Sequence, residues 1–348
     1  MDVWKEMKRL HVEQVVFCQE EQDGLQAVIA IHSTTRGPAL GGCRMWMYDS
    51  EDDAVLDAVR LARGMTYKAA VFGLPYGGGK AVIVGNPQTD KSAAKFRTLG
   101  RFIERLQGRY VTGVDLGTTV RDMDWIRLET AHVTDTTGTI MAAGDFTAEM
   151  TAYGVFLGMK ASAYFLLGSG DLNGRTVAVQ GLGKVGFLLC GMLRDAGANL
   201  VIADIDSSRV ERAVKAYHAK AAAPDDIYGE SCDIFAPCAL GGVLNDVTIP
   251  QLRCKIVAGA ANNQLLEEIR HGEELEKRGI LYAPDYVLNA GGLIITACEL
   301  QGLAQADMKR SVERVYGTLL QVFEIAQQEG LQTWQAANRL AEQNLLHP

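Results

Sequence analysis

The apolar positions of this chain change rhythm several times, and each change predicts an element. Residues 14–19 and 27–33 are β-branched runs joined through Asp23-Gly24, which predicts a hairpin or two neighbouring strands. Gly37-Pro-Ala-Leu-Gly-Gly-Cys-Arg44 then breaks the pattern, and its glycines predict a tight, irregular segment, either a turn or backbone held against a ligand. Ser50-Glu-Asp-Asp53 reads as a helix start, with Val55, Leu56, Val59, Leu61 and Ala62 at helical spacing up to Gly64, where the helix is expected to end. Lys68 is expected just beyond it. Gly77-Gly-Gly-Lys80 reads as a glycine turn entering the strand Ala81-Val-Ile-Val84. Asp90-Lys-Ser92 opens a second helix with Phe96, Leu99, Phe102, Ile103 and Leu106 on its apolar side. Tyr110-Val-Thr-Gly-Val-Asp115 is a short strand delivering an aspartate into Leu116-Gly-Thr-Thr119, where a carboxylate taken by itself caps a turn.

From about residue 134 to 150 the periodicity is lost, which predicts a domain junction. Helix resumes at Thr151 and runs toward Leu167. Strands follow at 176–180, 199–204, 232–235, 255–258 and 280–282, with a helix after Gly186 and another over 207–220. This alternation predicts a doubly wound parallel sheet. Beyond Leu293 the chain is mostly helical, with apolar stripes through Val312, Val315, Leu319, Leu320, Phe323 and Ile325 and over 334–345. The expected fold class is therefore α/β in two domains.

Composition narrows the partners. A chain of 348 residues is too long for one ordinary core, and 48% hydrophobic against 22% charged residues fills two. The formal net charge of -8 argues against nucleic acid or an anionic membrane. Charges at the N-terminus and the shortness of the longest uncharged run, residues 286–298, predict a cytoplasmic protein. Seven cysteines form no Cys-x-x-Cys pair and six histidines are scattered, so reduced thiols and no metal site are expected.

The strand at 176–180 runs into Gly181-Leu-Gly183-Lys184-Val185-Gly186, a helix and a second strand ending in Asp204. Strand, glycines, helix, strand and terminal acid in that order predict a Rossmann-type dinucleotide site. The first glycine permits the turn, the second lets a pyrophosphate reach the helix amides, and the third lets helix and strand pack closely. Asp204 would accept from the ribose hydroxyls and repel a 2′-phosphate, which favours NAD, although Arg209 nearby is suited to that phosphate. Loops containing Cys238 and Ala239, Ala260, Asn262 and Asn263, and Asn289 follow later strands on the carboxyl edge, where ligands sit.

Two lysines, Asp115 and the nucleotide motif together resemble the amino-acid dehydrogenase family that includes leucine, phenylalanine, valine and tryptophan dehydrogenases. The motifs that carry the resemblance are Gly37-Pro-Ala-Leu-Gly-Gly, Gly64-Met-Thr-Tyr-Lys, Gly77-Gly-Gly-Lys-Ala-Val-Ile, Gly181-Leu-Gly-Lys-Val-Gly, Phe235-Ala-Pro-Cys-Ala-Leu-Gly-Gly, Ala260-Ala-Asn-Asn-Gln and Ala283-Pro-Asp-Tyr-Val-Leu-Asn-Ala-Gly-Gly. The resemblance implies residues 1–140 as a substrate and oligomerisation domain, 141–295 as the NAD domain, and 296–348 as helices returning to the hinge and first domain. It implies oxidative deamination of an L-amino acid to a 2-oxo acid and ammonia. Lys68 would hold the substrate carboxylate with help from Asn263, Lys80 would activate the attacking water, and Asp115 would bind the amino group and relay protons. Burial beside a second lysine disfavours the charged form of an amine, the condition a general base near neutral pH requires.

The resemblance also places Leu40, Met65, Gly113 and Leu293 around the substrate side chain, with Gly41, Gly42 and Thr296 close by. Glycine at 113 with leucine at 293 is similar to phenylalanine dehydrogenases, since a missing methyl leaves room for a ring. Leucine, branched-chain or tryptophan preference is the alternative, and a catalytically silent NAD-binding sensor is the rival from another class. Ala148-Glu-Met150 and Ile295-Thr-Ala-Cys-Glu299 depart from the family pattern. Apolar N-terminal strands and C-terminal stripes predict a homo-oligomer.

Overall fold

The structure, a computed structural model, describes residues 2–346. Of these, residues 2–144, 299–302 and 341–346 form one compact unit, and residues 145–298 and 303–340 form another.

The first unit runs α1 (Val3–Leu10), β1 (Gln14–Glu20), β2 (Leu25–Ser33), β3 (Ala39–Leu40), β4 (Cys43–Trp46), α2 (Glu51–Val71), β5 (Gly77–Val84), α3 (Ala93–Glu104), β6 (Tyr110–Val111) and α4 (Val120–Arg127). Its mixed sheet has the order β1-β2-β5-β3-β6, with β4 also on β5. β1, β2 and β5 are antiparallel, while β3 and β4 run parallel to β5. Side chains alternate across the pleat. Ile29, Ile31, Met45, Ala81 and Ile83 therefore meet Phe96, Leu99 and Ile103 of α3 on one face, and Val28, Ala30 and Val82 meet Ala54, Val55, Ala58, Val59 and Ala62 of α2 on the other.

Three local expectations are corrected here. The glycine-rich stretch after Gly37 contains strands β3 and β4, because its glycines let strands approach closely. α2 does not stop at Gly64 but continues to Val71, so Lys68 lies on the helix. A glycine inside a helix is tolerated at about 1 kcal/mol, and the buried Ala62, Thr66, Ala69 and Ala70 around it anchor the helix to the sheet. Gly77-Gly-Gly79 is strand rather than turn. A Cβ at Gly77 would stand 1.7 Å from the Ser33 carbonyl oxygen, at Gly78 2.1 Å from the Thr66 nitrogen, and at Gly79 2.7 Å from the Tyr110 ring. These glycines answer to close packing, since none of the three has a left-handed φ.

The second unit contains α5 (Asp145–Leu167), β7 (Thr176–Gln180), α6 (Lys184–Asp195), β8 (Asn199–Ala203), α7 (Ser207–Tyr217), β9 (Lys220–Ala221), β10 (Ile234–Pro237), β11 (Ile256–Val257), α8 (Glu268–Lys277), β12 (Leu281–Tyr282) and α9 (Asp285–Leu288), followed by α10 (Gly291–Leu300), α11 (Gln305–Glu329) and α12 (Thr333–Leu346). α10 and α12 end on residues that belong to the first unit. All neighbours in the sheet β12-β11-β10-β7-β8-β9 are parallel. Val177, Ala178, Val179, Ile234, Phe235 and Ala236 are buried, as strands covered on both faces require. Strand order reverses between β7 and β10, which makes a ligand crevice at their carboxyl ends. α5 is long and apolar enough, by length and composition, to cross a membrane, and half of its most apolar window is buried where it packs on α6, α9 and α11.

Candidate active site and cofactor site

The charged site of the first unit is built on alternation along β5. Gly78, Lys80 and Val82 face α2, and Lys80 is only 4% exposed. β4 lies beside β5 with Arg44 opposite Val82, so the Arg44 side chain emerges on the same face. Asp115 comes from the turn after β6. Its Oδ2 lies 2.9 Å from Lys80 Nζ and 3.0 Å from Arg44 Nε. The other end of Arg44 reaches Asp57 Oδ2 at 3.0 Å, to which the Tyr48 hydroxyl also donates at 2.6 Å. The backbone of Asp115 is fixed by the Thr118 hydroxyl, which accepts from its N–H and lies within 2.7 Å of the Cys43 carbonyl oxygen.

Burial by itself would raise the proton affinity of Asp115, but the Lys80 and Arg44 cations beside it outweigh burial and hold the carboxyl below its usual range. Asp115 is thus an ionised acceptor placed between two cations. Arg44 and Asp57 escaped the sequence reading. The available signal was a charged residue alternating with two buried ones, Cys43 and Met45, inside a strand.

The expected neighbours gather around this cluster. A Cβ at Gly41 would stand 1.8 Å from the Gly79 carbonyl oxygen and 3.3 Å from Met65 Cγ, and one at Gly42 2.7 Å from Asp115 Cβ. Leu40 is buried in β3. Lys68 is half-buried on α2, one turn beyond Met65 on the same side of the helix.

Gly113 requires a correction. The space its missing methyl leaves is not free for a ring, because a Cβ there would lie 2.4 Å from Asp135 Oδ2 and 2.5 Å from Thr134 Oγ1. Asp135 accepts from the Val114 N–H at 2.7 Å, and its burial raises its carboxyl above the ordinary range. Among the expected substrate residues, Asn263, Leu293 and Thr296 belong to the second unit. Leu293 and Thr296 lie buried in α10, and the Thr296 hydroxyl bonds the Gly292 carbonyl one turn back at 2.9 Å.

The second unit carries the glycine turn. Gly181 has φ +97, and a Cβ on it would meet Ala239 at 2.7 Å; one on Gly186 would stand 2.0 Å from the Gly181 carbonyl oxygen and 3.4 Å from Cys238 Cβ. These glycines lock the turn to the helix and to the loop after β10. Gly183 differs, because nothing lies within 4 Å of a Cβ built there. It is the N-cap of α6 and supplies no side-chain cap for the first amides of the helix, those of Lys184, Val185 and Gly186. An anion fits such a helix start. Asp204 follows β8 and accepts from Leu182 N–H at 2.6 Å and Asp206 N–H at 2.9 Å, with Arg209 3.8 Å away. It therefore orients the turn itself.

Beside Gly183 and Lys184 opens a cavity of about 470 Å³ whose wall includes Phe187, Arg209 and Arg212. At the carboxyl end of β11, Asn289 donates to the Ala260 carbonyl at 3.1 Å and to Asn262 Oδ1 at 2.6 Å. Asn262 and Asn263 are exposed. Dinucleotide chemistry fits these residues, since the turn has both the steric opening and the uncapped amides.

Two family models match the chain: Glu/Leu/Phe/Val dehydrogenase, dimerisation domain, over residues 11–132, and Glutamate/Leucine/Phenylalanine/Valine dehydrogenase over residues 202–346. A leucine dehydrogenase of Bacillus subtilis is 52% identical over 99% of this chain and 94% of its own length. A phenylalanine dehydrogenase of Thermoactinomyces intermedius is 48% identical with the same coverage. The crystal structure of L-tryptophan dehydrogenase from Nostoc punctiforme superposes with a TM-score of 0.88 at 44% identity, covering 99% of both chains.

Proposed function

This chain belongs to the glutamate, leucine, phenylalanine and valine dehydrogenase family, and from that premise we propose that it catalyses NAD-dependent oxidative deamination of a bulky L-amino acid to a 2-oxo acid and ammonia. It is an amino-acid dehydrogenase, an oxidoreductase acting on CH–NH2. When bound, the nicotinamide dinucleotide supplies the hydride acceptor. The negative charge of Asp204 held beside the turn, unfavourable to a 2′-phosphate, and the uncapped amides around Gly183 support NAD as its form.

The observation that carries this reading is the 2.9 Å contact between the buried Lys80 and Asp115. Loss of hydride from the neutral amine leaves an iminium, and hydration of that iminium requires a group to take a proton from water. In its neutral form, once its proton has left through Asp115 to solvent, Lys80 is the base at the reacting carbon. Asp115, ionised and in contact with it, receives the substrate ammonium and passes protons between amino group and lysine. Arg44 fixes one Asp115 oxygen from the other side. Lys68, half-buried on α2, is suited to the substrate carboxylate. A silent sensor would have no use for this cluster.

With the space at Gly113 filled, leucine suits the site at least as well as phenylalanine, and relatives bearing both names are similarly close. The matched dimerisation domain supports self-association. The test is absorbance of reduced nicotinamide when the protein meets NAD with L-leucine, L-valine, L-phenylalanine or L-tryptophan, together with an assay for ammonia. Reduction and ammonia in equal amounts with at least one of them is expected. Absence of both with all four would defeat the proposal.

A further inference from the structure

We propose that Asp135 is a specificity residue of the substrate site and that the side chain it selects carries a hydrogen-bond donor. The inference rests on the function proposed above for the Lys80 and Asp115 cluster. Residues 112–114 are extended, with bridges from Thr112 to Val133 and from Val114 to Cys43. In extended chain alternate residues share a face, so Gly113 looks the same way as Asp115. What stands where a Gly113 Cβ would be is the Asp135 carboxylate. It therefore lies on the face of the strand that carries the catalytic acid, in the place where residue 113 would otherwise present a side chain.

The carboxylate is only half used. Oδ2 accepts from Val114 N–H at 2.7 Å and lies 3.3 Å from the Thr134 hydroxyl, whereas Oδ1 is shielded from solvent and has no hydrogen-bond partner. Asp135 is 8% exposed and has φ +58, a left-handed conformation that glycine adopts freely and aspartate at a modest cost. A buried carboxylate with one oxygen holding the Val114 N–H and the other unpaired is satisfied only in part, which points to a ligand. The torsion at a carboxylate is broad, so the free oxygen turns toward the strand face without disturbing the backbone. An aliphatic substrate leaves that oxygen unpaired. An indole N–H, a hydroxyl or an amine satisfies it.

The test compares side chains matched in shape, one with the donor and one without: L-tryptophan with L-3-(3-benzothienyl)alanine, L-tyrosine with L-phenylalanine, and L-lysine with L-norleucine. Both kcat/KM, from reduced nicotinamide, and Kd, from calorimetry, are measured. In at least one pair the donor-bearing member is expected to lead by about tenfold or more, since a site built around a hydrogen bond rejects the analogue that lacks it. The pair that responds tells a neutral donor from a cation. Asp135→Gly, whose backbone tolerates φ +58, and Asp135→Asn, which offers an amide N–H instead, are both expected to bring that ratio within about threefold. Equal or better performance by the apolar member in all three pairs overturns the proposal, as does an unchanged ratio in Asp135→Gly. Turnover without discrimination defeats this inference and leaves the dehydrogenase reading standing. Discriminating binding without turnover does the reverse.

Discussion

The two ligand-bearing regions are built from opposite materials. Around Lys80 the groups are charged side chains, two cations and two carboxylates held within 3.0 Å contacts on one face of a sheet. At Gly181 to Gly186 they are backbone amides, and the nearest acid, Asp204, is turned inward to hold the loop. Glycines serve both, for different reasons. In the first region they let strands and helix close on the lysine; in the second, Gly181 and Gly186 lock the turn and Gly183 keeps its mouth open. Reaction chemistry needs a group that changes charge, and anion binding needs dipoles that do not.

That contrast is broken most sharply by Lys80→Ala. Turnover is expected to fall by about 10³-fold or more, while NAD affinity, followed by quenching of protein fluorescence, stays within about twofold. Equal loss of both would mean that the lysine acts in folding rather than in chemistry. Next in size is Gly186→Ala, which drives a Cβ into the Gly181 carbonyl and is expected to lower stability by about 1–3 kcal/mol in urea unfolding. Gly183→Ala has room for its methyl, so it should leave stability unchanged and weaken NAD binding alone.

Arg44→Gln tests the electrostatics of the first region. The salt bridges of Arg44 are partly exposed, with 21% of its side chain accessible, so a loss of about 1–2 kcal/mol is expected, less than for a fully buried pair. Asp115 is held below the ordinary carboxylate range, so the stability its pairing confers is present at neutral pH and is lost as the pH falls through that lowered value. Without Arg44 the loss begins at higher pH, and the acid limb of the kcat profile moves up with it. A profile that does not move would show that Lys80 alone sets the charge of Asp115. The smallest effect belongs to Asp204→Asn. Its amide has a single acceptor oxygen for two backbone N–H groups, and NAD affinity is expected to fall about tenfold while the preference over NADP narrows.

The second region was largely legible in sequence, because a dinucleotide turn is local. Strand, three glycines, helix and acid lie within a short run, and each constrains its neighbours through backbone sterics. The first region was legible only in part. Lys80 and Asp115 stood out by motif, but the partners that tune them, Arg44 and Asp57, arrive from other strands and helices, and no local pattern records that encounter. Lys68 was misplaced in local structure because helix propensity at Gly64 was weighed without the packing that overrides it. Gly113 was misread because an absent methyl was taken for empty space, when Asp135, distant in sequence, fills it.

The most direct test of the account is isotopic. The protein is given NAD and L-leucine or L-tryptophan deuterated at the α-carbon, and the reduced nicotinamide is analysed by mass spectrometry. Hydride transfer at a Lys80-centred site predicts one deuterium in each reduced nicotinamide, one 2-oxo acid formed per deuterium, and steady-state transfer slowed by about 10³-fold or more in Lys80→Ala. Reduced nicotinamide without deuterium, or steady-state transfer at an undiminished rate after loss of the lysine, would contradict it.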